Sequence, residues 1–187
     1  MKKKIVVGVA GMPGSGKAAV KDVALKMGFH VVVMGDEIRE EAKRRRLKPT
    51  LENLGNLMLT LRTEEGEAVV ARRCIPKIES AKEPVVIVDG IRSHHELTEF
   101  KKHFPDFFLI AFQASPETRF QRLVQRKRSD RPKNWADFIQ RELREATIGT
   151  DDVIATADYL LINEGTKVQL KREVNKVLSG VVGKWMK

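Results

Sequence analysis

Ile5-Val6-Val7-Gly8-Val9-Ala10-Gly11-Met12-Pro13-Gly14-Ser15-Gly16-Lys17 is the stretch whose reading decides the fold. Residues 5–10 are too short and too β-branched for a helix and read as a buried strand. Beyond Lys17 the apolar positions Val20, Val23, Ala24 and Met27 recur at helical spacing, and Gly28 stops that helix. A strand that enters a glycine-rich turn and leaves it as a helix is the context in which G-x-x-x-x-G-K holds phosphate. The glycines let the backbone bend with its N–H groups inward, the helix N-terminus adds partial positive charge, and the lysine reaches the outer phosphates. The expected cradle is therefore Gly11, Met12, Pro13, Gly14, Ser15, Gly16, Lys17 and Ala18. Ala18 and Ala19 stand where a Ser or Thr hydroxyl would ligate Mg²⁺. Any Mg²⁺ here is thus held through water, by carboxylates elsewhere, or not at all.

With 187 residues, 42% of them hydrophobic, and no Gly/Ser-rich or low-complexity linker, the chain is expected to form one domain over residues 1–187. The single Cys74 excludes an intramolecular disulfide and fits a reducing compartment. Lys2, Lys3 and Lys4 precede an apolar run in the manner of a signal peptide, but Pro13, Gly14 and Lys17 interrupt it. No other run approaches the length of a transmembrane helix, so a cytoplasmic protein with no membrane partner is expected. A formal charge of +10 raises RNA as a partner, yet only 6% of residues are aromatic and no basic stripe is interleaved with them. The excess of Arg and Lys is expected to serve the handling of polyphosphates, with the remainder solvating helix faces.

Further along, residues 29–34 read as a second buried strand ending at Gly35-Asp36, followed by a helix from Glu37 that carries Arg39 and Lys43-Arg44-Arg45-Arg46. Two helical stretches, 51–62 and 67–80, follow without a strand between them, so residues 36–82 form a helical insertion. The third strand, 84–88, ends in Asp89-Gly90-Ile91-Arg92. β-Branched residues closed by a carboxylate at the C-terminal end of a parallel strand are the Walker B arrangement. Asp89 should face the phosphate loop and hold a magnesium-bound water. His94 and His95 lack the further ligands of a zinc site.

Residues 107–112 are fully apolar and read as a central fourth strand. Ser115-Pro116-Glu117 then caps a helix with Arg119, Arg122 and Arg126 on one face, and residues 127–134 read as a short basic lid. A fifth strand at 157–163 is followed by the capping box Thr166-Lys167-Val168-Gln169, opening a helix with Val168, Leu170, Val174, Val177 and Leu178 on its buried side. Apolar strands alternating with helices mean a doubly wound α/β fold.

Several segments carry a resemblance. Gly35-Asp36-Glu37-Ile38-Arg39 resembles the G-D-x-x-R of adenylate kinases and other nucleoside monophosphate kinases, and Asp89-Gly90-Ile91-Arg92 resembles their D-G-F-P-R, one residue shorter. Arg122-Leu123-Val124-Gln125-Arg126 resembles the R-L-x-x-R at the entrance to their lid. Arg128-Ser129-Asp130, with Arg141 and Arg144 downstream, is similar to their R-x-D-D and later arginine, with Arg131 where a second Asp is expected. Residues 157–163 resemble the A-D-Y-V-I-D-N of dephospho-coenzyme A kinases. Taken whole, the chain resembles the P-loop nucleoside monophosphate kinase superfamily and, more narrowly, an archaeal P-loop family described as adenylate-kinase-related.

That resemblance implies a five-stranded parallel sheet in the order 2-3-1-4-5, helices on both faces, an acceptor-binding insertion and a short lid. It implies ATP and Mg²⁺, with Lys17 and the phosphate loop on the donor and Asp89, with Asp36 as a second candidate, on magnesium-bound water. Asp36, Arg39 and Arg92 would serve the acceptor, with Arg62, Arg72 and Arg73 as further candidates; Arg122, Arg126 and Arg128 would stabilise the transferring group, and Asn163-Glu164-Gly165 would lie near adenine. The expected activity is transfer of the ATP γ-phosphoryl to a small acceptor, a nucleoside monophosphate or related nucleotide. An ATPase or ATP-dependent RNA-binding module, an RNA-directed kinase and a dephospho-coenzyme A kinase-like enzyme are the alternatives. Neither the acceptor nor the oligomeric state is written in any motif.

Overall fold

The computed structural model describes residues 4–126 and 131–185. Residues 127–130, which hold the start of the expected lid and Arg128, lie outside the described residues. β-Branched side chains dominate β1 (Ile5–Gly11), β2 (His30–Val33) and β3 (Val85–Ile91), while β4 (Phe107–Gln113) brings aromatics and β5 (Tyr159–Ile162) closes one edge. All five pair in parallel, in the order β2-β3-β1-β4-β5 that the resemblance implies.

Successive side chains of a strand point to opposite faces, and this alternation divides the core. Val6 and Ala10 of β1 join Val86, Val88 and Leu109 on one face; Ile5, Val7 and Val9 join Val85, Ile87, Ile110 and Phe112 on the other. The first face is covered by residues of α2 (Met34–Arg44), α3 (Leu51–Glu65), α4 (Val69–Ser80), α5 (His94–His103) and α8 (Thr150–Ala155). The second lies under α1 (Ala18–Lys26) and α9 (Lys167–Trp185), which also pack on each other. Burial on both faces is why the inner strands read as near-continuous apolar runs.

Side-chain caps define most helix starts. Thr50 caps α3, Ser93 and Glu96 form a capping box on α5, Ser115 caps α6 (Pro116–Val124), and Asn134 caps α7 (Trp135–Ile148). At the start of α9, Thr166 Oγ1 accepts from the Gln169 amide at 3.2 Å and Gln169 Oε1 accepts from the Thr166 amide at 2.9 Å, the box read from the sequence. Among the described residues no helix is long and apolar enough to cross a membrane.

The structure departs from the sequence reading at several element boundaries. β2 stops at Val33 and α2 already begins at Met34, because the Met34 side chain is buried beneath the insertion; Asp36 therefore sits in the first helical turn. α4 begins at Val69 rather than at residue 67 and runs through Pro76. Val168 is 62% exposed rather than buried, since the buried stripe of α9 starts at Leu170 and continues through Val174, Leu178 and Val181. The helix after the lid, α7, gives way at Gly149 to a separate short α8 that buries Val153 against the sheet.

Candidate active site

The sheet fixes the site. β1 runs out at its C-terminal end into the phosphate loop, while Asp89 on β3 is registered against Val9 on one side and Val33 on the other. One step beyond, the β1–β3 register shifts by a residue, which gives β3 a bulge beside the loop. The loop and Asp89 open into a pocket of about 610 Å³ at the C-terminal ends of the strands, whose other wall comes from α2, α3 and α7. Crevices at that end of a parallel sheet are where α/β folds bind ligands.

Two loop glycines show how closely the cradle is packed. A Cβ on Gly14 (φ 87°) would lie 2.6 Å from the Arg119 carbonyl oxygen, and one on Gly16 (φ 105°) would lie 2.2 Å from Asn163 Nδ2. Both also hold a left-handed backbone that other residues adopt at a cost. The loop is clamped from behind by residues far along the chain. Asn163 Nδ2 donates to the Ser15 carbonyl at 2.9 Å, and Arg122 donates to the Asn163 carbonyl at 3.1 Å and to its Oδ1 at 3.4 Å, which orients that amide. Arg119 is buried beneath the loop, donating to Ala114 O at 3.0 Å and to Glu142 Oε1 at 2.7 Å while stacking on Phe138. Met12 and Ser15 are buried within the loop rather than lining the pocket.

Lys17 Nζ donates back to the carbonyls of Gly11 and Met12. Burial pushes its ammonium down to about 8, with the Asp89 charge pulling the other way. Among the described residues Asp89 Oδ1 is buried with no hydrogen-bond partner. A buried orphan carboxylate oxygen beside an anion cradle suits a cation's hydration shell. Among the described residues no cluster of three or more acids, histidines or cysteines forms a metal cage. Mg²⁺ seldom uses such a cage, keeping waters and binding through one or two carboxylates plus phosphate oxygens. The residues present fit that mode, with Asp89 as the carboxylate.

The residues expected to serve an acceptor line the same pocket, and each brings a counter-charge. Asp36 and Arg39 line the pocket and pair with each other. Arg92 reaches Glu145 Oε1 at 2.9 Å and Met58 Sδ at 3.1 Å. Arg62 is buried, donating to Met58 O at 3.0 Å and to Glu96 Oε1 at 2.5 Å. Burial pushes the Glu96 carboxyl up against the pull of that arginine. Met58 is both buried and part of the pocket wall.

Other arginines fall elsewhere. Arg72 donates to the Glu65 carbonyl and Arg73 pairs with Glu65 at 2.5 Å and Glu41 at 3.2 Å, bracing the insertion outside the pocket. Arg122, expected near the transferring group, instead lies behind the phosphate loop, whereas Arg126, Arg141 and Arg144 line the pocket. The basic run after Lys43 is partly neutralised within the protein, since Arg44 and Arg45 both bind Glu41 and Arg45 also binds Glu64. Sequence reasoning missed Glu145 and the loop-holding role of Asn163. The one available signal for Glu145 was its helical spacing from Arg141, which puts both on one face.

A domain family described as an AAA domain matches residues 10–140. A UPF0200 protein of Hyperthermus butylicus is 44% identical over 180 residues, covering 96% of both chains. The chain belongs to the UPF0200 family. A second family member, from Methanothermobacter thermautotrophicus, is 41% identical over 93% of this chain and 89% of its own. The archaeal P-loop family suggested by the motifs is thereby borne out. Among solved structures, TT1252 from Thermus thermophilus superposes with a TM-score of 0.65 at 22% identity, covering 96% of this chain and 98% of that one. A shikimate kinase from Bacteroides thetaiotaomicron superposes with a TM-score of 0.62 at 18% identity, again over 96% and 98%. At such identities these likenesses establish for this UPF0200 member a P-loop kinase-like fold.

Proposed function

We propose that this protein transfers the γ-phosphoryl of Mg·ATP to a small acceptor, a nucleoside monophosphate or related nucleotide. The observation that carries the reading is a single pocket that brings the phosphate loop and Asp89 together with the insertion's Asp36, Arg39 and Met58. Phosphoryl transfer needs two reactants in line and neutralisation of the charge spreading over the transferring oxygens, with little covalent work for the protein. The backbone N–H groups of residues 14–17 receive the donor's phosphates. Lys17 leaves the Gly11 and Met12 carbonyls to meet phosphate oxygens. Asp89 would hold Mg²⁺ through water, and the ion when bound would supply charge neutralisation at the phosphates. Arg126 and Arg141 add positive charge to the pocket, and Asp36, Arg39 and Arg92 shape the acceptor end.

The test is ADP release from Mg·ATP, alone and with AMP, CMP, UMP, GMP, dTMP or dephospho-coenzyme A. Strong stimulation by one member, with that member phosphorylated, is the expected result. Slow release that no member stimulates would overturn the small-acceptor reading and turn attention to ATP hydrolysis or an RNA substrate.

A further inference from the structure

Glu145 is a buried acid that the proposed transfer does not use. It lies on α7 and lines the pocket. Its Oε1 accepts from Arg92 Nη1 at 2.9 Å. The Arg92 side chain is 29% exposed and that of Glu145 only 4%, so a ligand in the pocket can reach the arginine while the acid stays closed off from solvent.

Arg92 does not need Glu145 to stay in place. Its amide donates to Glu96 Oε2 at 2.8 Å, its carbonyl accepts from Thr150 Oγ1 at 3.3 Å, and Nη1 also contacts Met58 Sδ at 3.1 Å. Glu96 is in turn held by Arg62 of α3. What Glu145 adds is negative charge. Lys17, Arg39, Arg92, Arg126, Arg141 and Arg144 all line this pocket, and like charges gathered in a partly desolvated cleft repel one another. An acid supplied by the chain offsets one of them. The same acid opposes any anion that enters: the charges of Asp89, Arg92 and Glu145 all bear on the Lys17 ammonium, so the field of Glu145 extends to the phosphate loop.

We infer that Glu145 is a built-in stand-in for the acceptor's phosphate, holding the Arg92 guanidinium until an incoming phosphate takes that guanidinium from it. A guanidinium binds carboxylate and phosphate oxygens through the same charge-assisted hydrogen bonds, so the two groups compete for one set of donors. A carboxylate carries one negative charge and a phosphate monoester about 1.5 to 2 at pH 7, which favours the phosphate in the exchange. A ligand without that anion has nothing to trade and leaves the Arg92–Glu145 pair closed. Glu145 thereby acts as a specificity-determining residue, weakening acceptor binding in general and rejecting neutral analogues in particular. The inference rests on the phosphotransferase reading and deepens it by naming the internal group that the acceptor displaces.

The experiment is calorimetric titration of protein saturated with a non-hydrolysable ATP analogue and Mg²⁺, which keeps the donor site filled. The ligands are AMP, CMP, GMP, UMP and dTMP beside the matching nucleosides. For the nucleotide that the wild type binds most tightly, Glu145→Gln should strengthen binding at least fivefold and leave the nucleoside within twofold. In an Arg92→Ala background the same substitution should change nucleotide affinity by less than twofold, because residues that act through one contact are not additive. Stability should move the other way. Glu145→Gln should lower the melting temperature of the ligand-free protein, since it strips Arg92 of its counter-charge. Should that variant fail to fold, Glu145→Asp, which keeps the charge but withdraws it by one methylene, should strengthen nucleotide binding at least twofold. Unchanged or weaker nucleotide binding in the folded variant would overturn the inference. So would a gain that persists without Arg92 or extends equally to the nucleoside, or failure of every nucleotide to bind the analogue-loaded protein. Failure of the ATP analogue itself to bind would bring down the phosphotransferase reading, and this inference with it.

Discussion

At the scale of single residues, Lys17 makes a prediction with a defined sign. Its folded value near 8 lies below the ordinary 10.5, so between those pH values the unfolded chain binds more protons than the folded one. Stability contributed by this residue therefore rises with pH from about 8 to 10.5, and below that window the buried ammonium weighs against folding. A bound polyphosphate reverses the preference by stabilising the charged form. Calorimetry of ADP binding at pH 9 in buffers of different ionisation enthalpy should show net proton uptake approaching one, with little uptake at pH 7. A binding reaction with no proton uptake at pH 9 would mean that Lys17 does not meet the phosphates. Gly16 makes a steric prediction. Gly16→Ala presses a methyl into Asn163 and forces a left-handed alanine, and overpacking of this kind costs about 1–3 kcal/mol. ADP affinity should fall by tenfold or more, and an unchanged affinity would show that the loop's shape is not set by the Asn163 clamp.

The helical insertion is held by ions as much as by its core. Glu41 on α2 is buried and gathers Arg44, Arg45 and, from α4, Arg73; hydrogen bonds from Arg44 and then Arg45 hold its carboxyl down at about 2. A depressed carboxyl contributes stability that is present above its ordinary value of 4.5 and is lost as pH falls toward 2. Glu41→Gln should lower the melting temperature at pH 7 by several degrees, and the gap from wild type should close as pH drops from 4.5 toward 2. A gap that persists at low pH would locate the stabilisation in packing instead. At this scale the sequence was informative wherever the signal was local. The caps at Ser115 and Thr166, the buried strands and the P-loop lysine each lie within a few residues of the chemistry that identifies them. The start of α2 and the buried face of α9 were misplaced because distant packing, on Met34 and Leu170, decides them.

Over the whole molecule, the same distinction explains what was hidden. Asn163 reaches Ser15 across 148 residues and Arg92 reaches Glu145 across 53, pairings that only the closed sheet brings about. Lys17, Asp89 and Arg39 could be placed near one another because the order of strands puts their C-terminal ends side by side. The arginines tell the limits of reading by motif: Arg119 and Arg122 on α6 support the phosphate loop from behind, while Arg126, just past the end of that helix, lines the pocket. The most direct measurement of the proposed chemistry follows γ-³²P-labelled ATP, with Mg²⁺ and the best acceptor, in wild type, Lys17→Met and Asp89→Asn. Label should pass to the acceptor in the wild type. Lys17→Met should slow that transfer about 10²–10³-fold, as removal of a transition-state charge stabiliser does, and Asp89→Asn should raise the Mg²⁺ concentration needed. Label that appears only as free phosphate, or transfer that survives Lys17→Met undiminished, would contradict a phosphotransferase built on this loop.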